Sequence, residues 1–336
     1  MMQGFAIWVT TNCNMNCTYC YEGNNKENLN ISEKTMEDTI LFIDNYMSLN
    51  HDEDMIIDFH GGEPLLQFEA IRYAVIELKK KFNDRVKFGI TTNGTIFSRQ
   101  ILDFLCDNFY YSLSISLDGN KETHNLNRKL KNGEGSYELV INNAKEFLKK
   151  RNDVRIRMTV NSKTVTGLYH SVMDLIEQGF RIIAPCIDYF DINWNKTNMR
   201  ILEEQLILLK NELNKKNDLV QVGLLNDYKN TSIGICQGGK NSYHINPKGE
   251  IFPCAFVMGN HKYFLGDIYN GLKDMEVIKI QAINEVQNNV CKGCTHIAGC
   301  ISSRCKLLNK IISNDYHTPA ATVCTMENIK YKVSQI

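Results

Sequence analysis

From Gly4 to about Cys186 the chain alternates short β-branched runs with amphipathic stretches, and few folds accept that order of elements. A strand followed by a helix must cross over before it can pair again, so repeated βα units build a parallel sheet with helices packed along its outside. The strand candidates are Phe5 to Val9, Met55 to Phe59, Val86 to Ile90, Tyr111 to Leu117, Val154 to Val160 and Arg181 to Ile187, six units in all. Between the first two, Ser32 is placed to cap a helix running to Leu49, with Met36, Ile40, Ile43 and Met47 on one face. A further helix is expected from Met199 to Lys216, and the polar stretch Asn214 to Asp218 marks a boundary. The expected class is therefore α/β, with one domain over residues 1–218 and a second over residues 219–336.

Polar clusters follow three of the strands: Thr10 to Tyr21, His60 to Pro64, and Thr91 to Gly94. In barrels of parallel strands the active site gathers at the loops beyond the strands' carboxyl ends, so these clusters are expected to meet at one mouth.

The balance of charge names no partner. Charged residues make up 23% of 336 and the formal net charge is +0, which gives no basic field for nucleic acid. Residues Met1 to Phe5 lack the order of a signal peptide and no apolar run is long enough to span a bilayer, so a cytoplasmic setting is expected. In a reducing compartment the twelve cysteines point to metal or catalytic thiolates and not to disulfides. Cys106, among Leu102, Leu105 and Phe109, reads as a core residue. Cys186, at the end of the sixth strand, is either core or part of the mouth.

Cys13, Cys17 and Cys20 form CxxxCxxC in a single loop. Three thiolates hold three irons of a [4Fe–4S] cluster and leave the fourth iron to a small molecule. A closed zinc site needs four ligands, and no fourth Cys or His lies near this loop. The spacing resembles the signature of the radical S-adenosylmethionine (SAM) superfamily, in which SAM chelates the open iron, and Tyr19 matches that family's aromatic position. Gly61-Gly62-Glu63-Pro64 resembles the family's GGE motif, whose backbone approaches SAM and whose acid accepts from its ammonium group; glycine permits such an approach. By the same resemblance Thr92, Asn93, Ser116 and Arg128 contact SAM, with Ser116 and Arg128 the candidates for its carboxylate, although Thr91, Thr92 and Asp118 also read as turn or capping residues. The resemblance implies a partial (β/α)6 parallel barrel and a 5′-deoxyadenosyl radical that removes a hydrogen atom from substrate, chemistry that side chains alone do not supply.

Seven cysteines lie between Cys236 and Cys324. Gly249 and Cys254 form Gx4C, and Cys291, Cys294, Cys300 and Cys305 run as Cx2Cx5Cx4C before Cys324. This resembles the SPASM domain, a small C-terminal cysteine-rich region of radical SAM enzymes that carries two auxiliary [4Fe–4S] clusters, which brings the expected total to three. The family usually has x3 where this chain has x4 before Cys305. The family's connectivity implies Cys291, Cys294, Cys300 and Cys324 for the distal cluster and Cys236, Cys254 and Cys305 for the proximal one. The proximal set is one ligand short, so a further residue fills it or it stays open to a substrate thiolate. A structural zinc fold is the alternative, but seven cysteines do not divide into four-ligand sites. Ser242 to Phe252 reads as a hairpin around Asn246-Pro247-Lys248-Gly249 that brings two ligands together.

The segment LDGNKETHNLNRK looks much like anaerobic sulfatase-maturing enzymes, which oxidise a Cys or Ser to formylglycine. Those enzymes place an aspartate base directly after the Gx4C cysteine, whereas Ala255 stands there in this chain. The favoured expectation is therefore a peptide maturase that joins a cysteine sulfur to a carbon of a ribosomally made peptide as a thioether. Formylglycine formation is the alternative, and a metal-binding scaffold without turnover a remote one. Expected partners are a peptide or protein substrate, an electron donor such as flavodoxin or ferredoxin, and, since no leader-binding domain precedes Gly4, a separate leader-binding protein or this body itself; no nucleic acid or membrane is expected.

Overall fold

The computed structural model describes residues 2–23, 27–49, 53–215, 219–225 and 234–336. Every strand expected from the β-branched runs forms, within a residue or two of the expected bounds. In chain order the elements are β1 (Gln3–Thr10), α1 (Glu33–Ser48), β2 (Met55–Gly61), α2 (Phe68–Phe82), β3 (Val86–Thr92), α3 (Arg99–Asn108), β4 (Ser112–Ser116), α4 (Lys121–Asn127), α5 (Tyr137–Lys150), β5 (Arg155–Val160), α6 (Leu168–Glu177) and β6 (Ile182–Ile187). There follow α7 (Lys196–Lys215), β7 (Gln221–Val222), β8 (Ser242–Ile245), β9 (Glu250–Phe252), β10 (Gly266–Asp267), β11 (Gly271–Leu272), α8 (Asp274–Glu285), α9 (Ile301–Arg304), α10 (Lys306–Ser313) and α11 (Ala321–Ser334).

Strands β1 to β7 pair in parallel in sequence order, as βα crossovers require. The sheet is not closed: β7 ends one side and β11 the other, which makes it a partial barrel. Side chains alternate across each strand. Phe5, Ile7, Val9, Ile57, Phe59, Phe88, Ile90, Ile115 and Ile156 take one face and join the helices in a buried core. Trp8, Asp58, His60, Ser114, Ser116, Arg157 and Cys186 occupy the opposite register and line the concave side. Cys106 is buried on α3 with Leu102 and Leu105, as its surroundings in the sequence suggest.

The expected hairpin is β8–β9, and the sequence did not show where it goes. β8 pairs in parallel with β1, Gly4 to Ile7 matching Ser242 to Ile245, so the cysteine-rich region extends the same sheet. Residues 216–218, which hold the boundary expected from the sequence and the end of its preceding helix, lie outside the described residues. Among the described residues no helix is long and apolar enough to cross a membrane.

Helix α1 begins where its cap predicts: Ser32 is extended, with φ −79° and ψ 159°, and its side chain accepts from the Thr35 amide. Met36, Ile40, Ile43 and Met47 are all buried. Ser32→Ala is expected to cost about 1 kcal/mol of stability, read as a fall in the denaturant midpoint with an unchanged slope.

Candidate active site at the barrel mouth

The first cysteine loop starts where β1 stops. The Asn12 amide donates to Thr10 Oγ1 at 3.0 Å and turns the chain, and the loop after β2 lies directly on that turn. Gly62 N donates to Thr10 O at 3.1 Å and Glu63 N to Asn12 O at 2.8 Å. A Cβ on Gly61 would fall 2.3 Å from Thr10 O and one on Gly62 2.4 Å from Asn12 O, and Gly61 has φ +151°. The two glycines thus permit a close backbone approach between the GGE loop and the base of the cysteine loop.

That approach buries Glu63 completely. Its carboxylate accepts from Thr92 Oγ1 at 2.7 Å, Asn93 N at 2.6 Å and Leu65 N at 3.1 Å, which ties the end of β3 to the end of β2. Asn93 Nδ2 in turn lies 3.7 Å from Cys13 Sγ and donates to Asn14 Oδ1 at 2.8 Å. Residues from three strand ends therefore converge on the cysteine loop. Burial pushes the Glu63 carboxyl up to about 7, and the hydrogen bonds from Asn93, Thr92 and Leu65 only partly offset it.

A second buried network faces the same loop. Asp118, fully buried just beyond β4, accepts from Tyr19 Oη at 2.5 Å and Thr159 N at 2.9 Å and pairs with Arg128 Nε at 3.0 Å. The Arg128 guanidinium also lies over the Tyr19 ring, 5.3 Å from its centre. Burial works against its charge, but Asp118, Tyr19 and Cys17 outweigh it and the group stays protonated. Ser116 is buried at the end of β4, paired in register with Arg157. Asn127 was not singled out in the sequence: its Oδ1 accepts from Thr18 Oγ1 at 2.7 Å and Asn161 Nδ2 at 3.3 Å, while its own buried Nδ2 finds no partner among the described residues.

The thiols influence one another electrostatically in three sets. Burial raises Cys17 to about 11, Arg128 opposes it, and Cys13 and Cys20 add to the rise. Burial raises Cys254 to about 12, with contributions from Cys305 and Cys236; Cys305, at about 11 from burial, also feels Cys236. Burial raises Cys324 too, with contributions from Cys291 and Cys294, and it raises Cys300 to about 11, with Glu327 and more weakly Cys291 adding to the rise. The extra residue before Cys305 is taken up by the single turn of α9, where Cys305 N donates to Ile301 O at 2.7 Å. Thiols whose ionisation burial opposes suit sites where a metal balances the thiolate charge. Among the described residues no three His, Cys, Asp or Glu side chains close around one metal ion.

Two further features were missed in the sequence. On the concave side Trp8 Nε1 donates to His244 Nδ1 at 3.2 Å, the Trp8 ring stacks on His60 at 5.7 Å, and His60 Nε2 lies 2.9 Å from Asp58 Oδ2. Burial, then His60, drives His244 down to about 3, so it stays neutral. The signal was present as polar residues at i and i+2 in β2, on the face opposite the core. The other feature is a cavity of about 550 Å³ between the mouth and the C-terminal region, lined by Cys20, Tyr21, Asn127, Asp188, Phe190 and Phe256 among others. Phe256 stands edge-on to Tyr21 at 6.2 Å and to Phe190 at 5.6 Å. Tyr21 is within electrostatic reach of both Cys20 and Cys254.

The pattern of the radical SAM superfamily matches residues 7–178, about half of the chain, and that of the SPASM iron–sulfur cluster-binding domain matches residues 236–295. The chain belongs to the radical SAM superfamily. A cysteine-type anaerobic sulfatase-maturating enzyme of Clostridium perfringens is 27% identical over 282 residues, 77% of this chain and 75% of that protein. An uncharacterised protein of Methanocaldococcus jannaschii is 35% identical over 136 residues, 40% of this radical SAM chain, which spans only 45% of that relative's length. The solved structure of native anSMEcpe with bound AdoMet and Cp18Cys peptide shares the fold, with a TM-score of 0.79 at 20% identity, covering 100% of this chain and 97% of the other.

A SAM-chelated cluster suits this radical SAM enzyme's mouth on two observations: the orphaned Asn127 amide beside the cysteine loop, and the amide donors of Met15, at 3.4 Å, and Asn93 that point at Cys13 Sγ. The state of Glu63 is testable without SAM. Its folded value of about 7 lies above the ordinary 4.5, so the protonated form is favoured in the fold; its contribution to stability is full below about pH 4.5 and is lost as pH rises through about 7. Wild type is therefore expected to lose thermal stability relative to Glu63→Gln between these limits. Melting midpoints at matched iron content that stay parallel across the range would show an ordinary carboxylate.

Proposed function

We propose that this radical SAM enzyme holds three [4Fe–4S] clusters and installs a thioether crosslink in a cysteine-containing, ribosomally made peptide. The observation that carries the reading is Ala255. It follows Cys254 at the start of a short turn, lines a cavity with Trp8, Tyr21 and Glu22, and supplies no titratable group where a sulfatase-maturing enzyme would have its base. Cys13, Cys17 and Cys20 would hold the first cluster, with SAM received by Tyr19, Gly61, Gly62, Glu63, Thr92, Asn93, Ser116 and Arg128. Cys236, Cys254 and Cys305 would hold the proximal auxiliary cluster, and Cys291, Cys294, Cys300 and Cys324 the distal one. When bound, SAM and its cluster supply hydrogen-atom abstraction from a carbon that has no acid–base handle.

The protein's own part is placement. Tyr21, Phe190 and Phe256 form an apolar rim on the cavity next to Cys20, where a peptide carbon would be held and water displaced. The proximal set offers three thiols, and the place left over is where we put the substrate's thiolate. A flavodoxin or ferredoxin would supply electrons, and a separate leader-binding protein would present the substrate. Formylglycine formation is the second reading, favoured by the sulfatase-maturating relative; Glu22, which lines the cavity with Ala255, would then have to serve as base.

Anaerobically reconstituted enzyme is expected to carry about twelve irons per chain and to cleave SAM when reduced. Changing Cys13, Cys17 and Cys20 together to Ala removes about a third of the iron and all cleavage; cleavage that survives the triple change, or stoichiometric zinc, rejects the assignment. Cys294→Ala or Cys300→Ala loses a cluster and lowers the stability of the C-terminal region, while cleavage of SAM without substrate persists.

The crosslink has its own test. A cysteine-rich peptide encoded beside this gene is expected to become lighter by about 2 Da with one thiol lost to alkylation, as removal of one S–H and one C–H hydrogen requires. A loss reversed by dithiothreitol, or formylglycine on a sulfatase peptide, rejects the thioether.

A further inference from the structure

Lys306, the first residue of α10, is only 2% exposed. Its ammonium donates to Asn288 Oδ1 at 2.5 Å and to Ser303 O at 2.8 Å, and among the described residues no carboxylate pairs with it. Two neutral oxygens do not replace the hydration of a full positive charge, and buried ammonium groups are either paired with an anion or neutralised. The groups around this nitrogen show which anion is available. Asn288 opens the turn whose next amide bond is Cys291 N to Asn288 O at 2.9 Å, and Cys305 immediately precedes Lys306. Asn288 Nδ2 and Asn309 Nδ2 both donate to Ser302 O, at 3.0 and 2.9 Å, which locks the Cys291 turn to the segment that carries Cys305.

On the reading given above Cys291 and Cys305 belong to different cysteine sets, and Lys306 is tied to both segments, through Asn288 to the Cys291 turn and along the chain to Cys305. We propose that Lys306 is the shared counter-charge of the two auxiliary clusters and raises their reduction potentials. The proposal rests on the auxiliary-cluster reading given above. Cysteine-ligated clusters are anionic and reduction adds one more negative charge, so a fixed cation nearby stabilises the reduced form over the oxidised one. Burial strengthens the effect, because little water lies between to screen it.

The test is an EPR-monitored redox titration of the full-length, anaerobically reconstituted enzyme as wild type, Lys306→Met, Lys306→Gln and Lys306→Arg. The first cluster is recognised by the change of its signal on adding SAM, and its midpoint is expected to stay put in every variant. In Lys306→Met the midpoint of at least one auxiliary cluster falls, so that its reduced-to-oxidised ratio at fixed potential drops about tenfold, a shift of about 59 mV for a one-electron couple. Lys306→Arg, which keeps the charge, stays close to wild type. Unchanged auxiliary potentials in Lys306→Met, or a shift as large in Lys306→Arg, overturn the proposal. If Lys306→Met loses iron, Lys306→Gln, which keeps a donor without the charge, takes its place in the same measurement. Iron lost from both uncharged variants and retained by Lys306→Arg shows the charge requirement at assembly, and iron lost from all three overturns it. A wild type holding iron for one cluster only strikes the auxiliary-cluster reading itself, a result distinct from any of these.

Discussion

Strand β1 is paired in parallel on both sides, with β2 and with β8, and the rest of the site is measured from it. Its core-facing residues Phe5, Ile7 and Val9 are buried under the helices, so both ladders are covered on that face. One end of the strand releases the loop of Cys13, Cys17 and Cys20. Its β2 neighbour delivers Gly61 to Glu63 onto that loop, and its β8 neighbour leads through the hairpin to Cys254. The distance between the two cysteine regions is therefore a property of one strand's register and not of a linker.

The protein buries ionisable groups in three different ways. Glu63 is held by three hydrogen bonds and no cation contact is needed to keep it in place, at the expense of a carboxyl that resists ionisation. Asp118 and Arg128 pair directly, with Tyr19 bonded to Asp118 and lying under the Arg128 guanidinium. A buried pair of this kind contributes little net stability but fixes geometry, because removing either partner leaves an uncompensated charge. Among the described residues Lys306 has no carboxylate partner and is held by the neutral oxygens of Asn288 and Ser303, next to Cys305 in the chain. The differing compensation follows function: neutral donors where a loop must be anchored, and an ion pair where an aromatic residue must be oriented.

Apolar surface does the corresponding work outside the mouth. Phe256, two residues beyond Cys254, reaches Tyr21 of the first cysteine loop and Phe190 beyond β6, so aromatic contacts bridge the two cysteine regions across the cavity.

What the sequence by itself determined is local and periodic. Six strands, the cap and buried face of α1, the Ser242 to Phe252 hairpin and the CxxxCxxC loop were legible because each depends on residues a few positions apart, through alternation, capping or turn chemistry. Tertiary structure alone decided what those elements meet. Period-two alternation in β2 marked Asp58 and His60 as lying opposite the core, but only curvature of the sheet turned that side into a shared interior with Trp8 and His244. The glycines before Glu63 were read as making room for a ligand; the packing shows that they make room for the backbone of Thr10 to Asn12, a contact across some fifty residues that no local pattern encodes. Asn127, Lys306 and the joining of β8 to β1 were invisible for the same reason. Burial and partnership of a polar group depend on the long-range closure of the chain, while a sequence displays only neighbours along it.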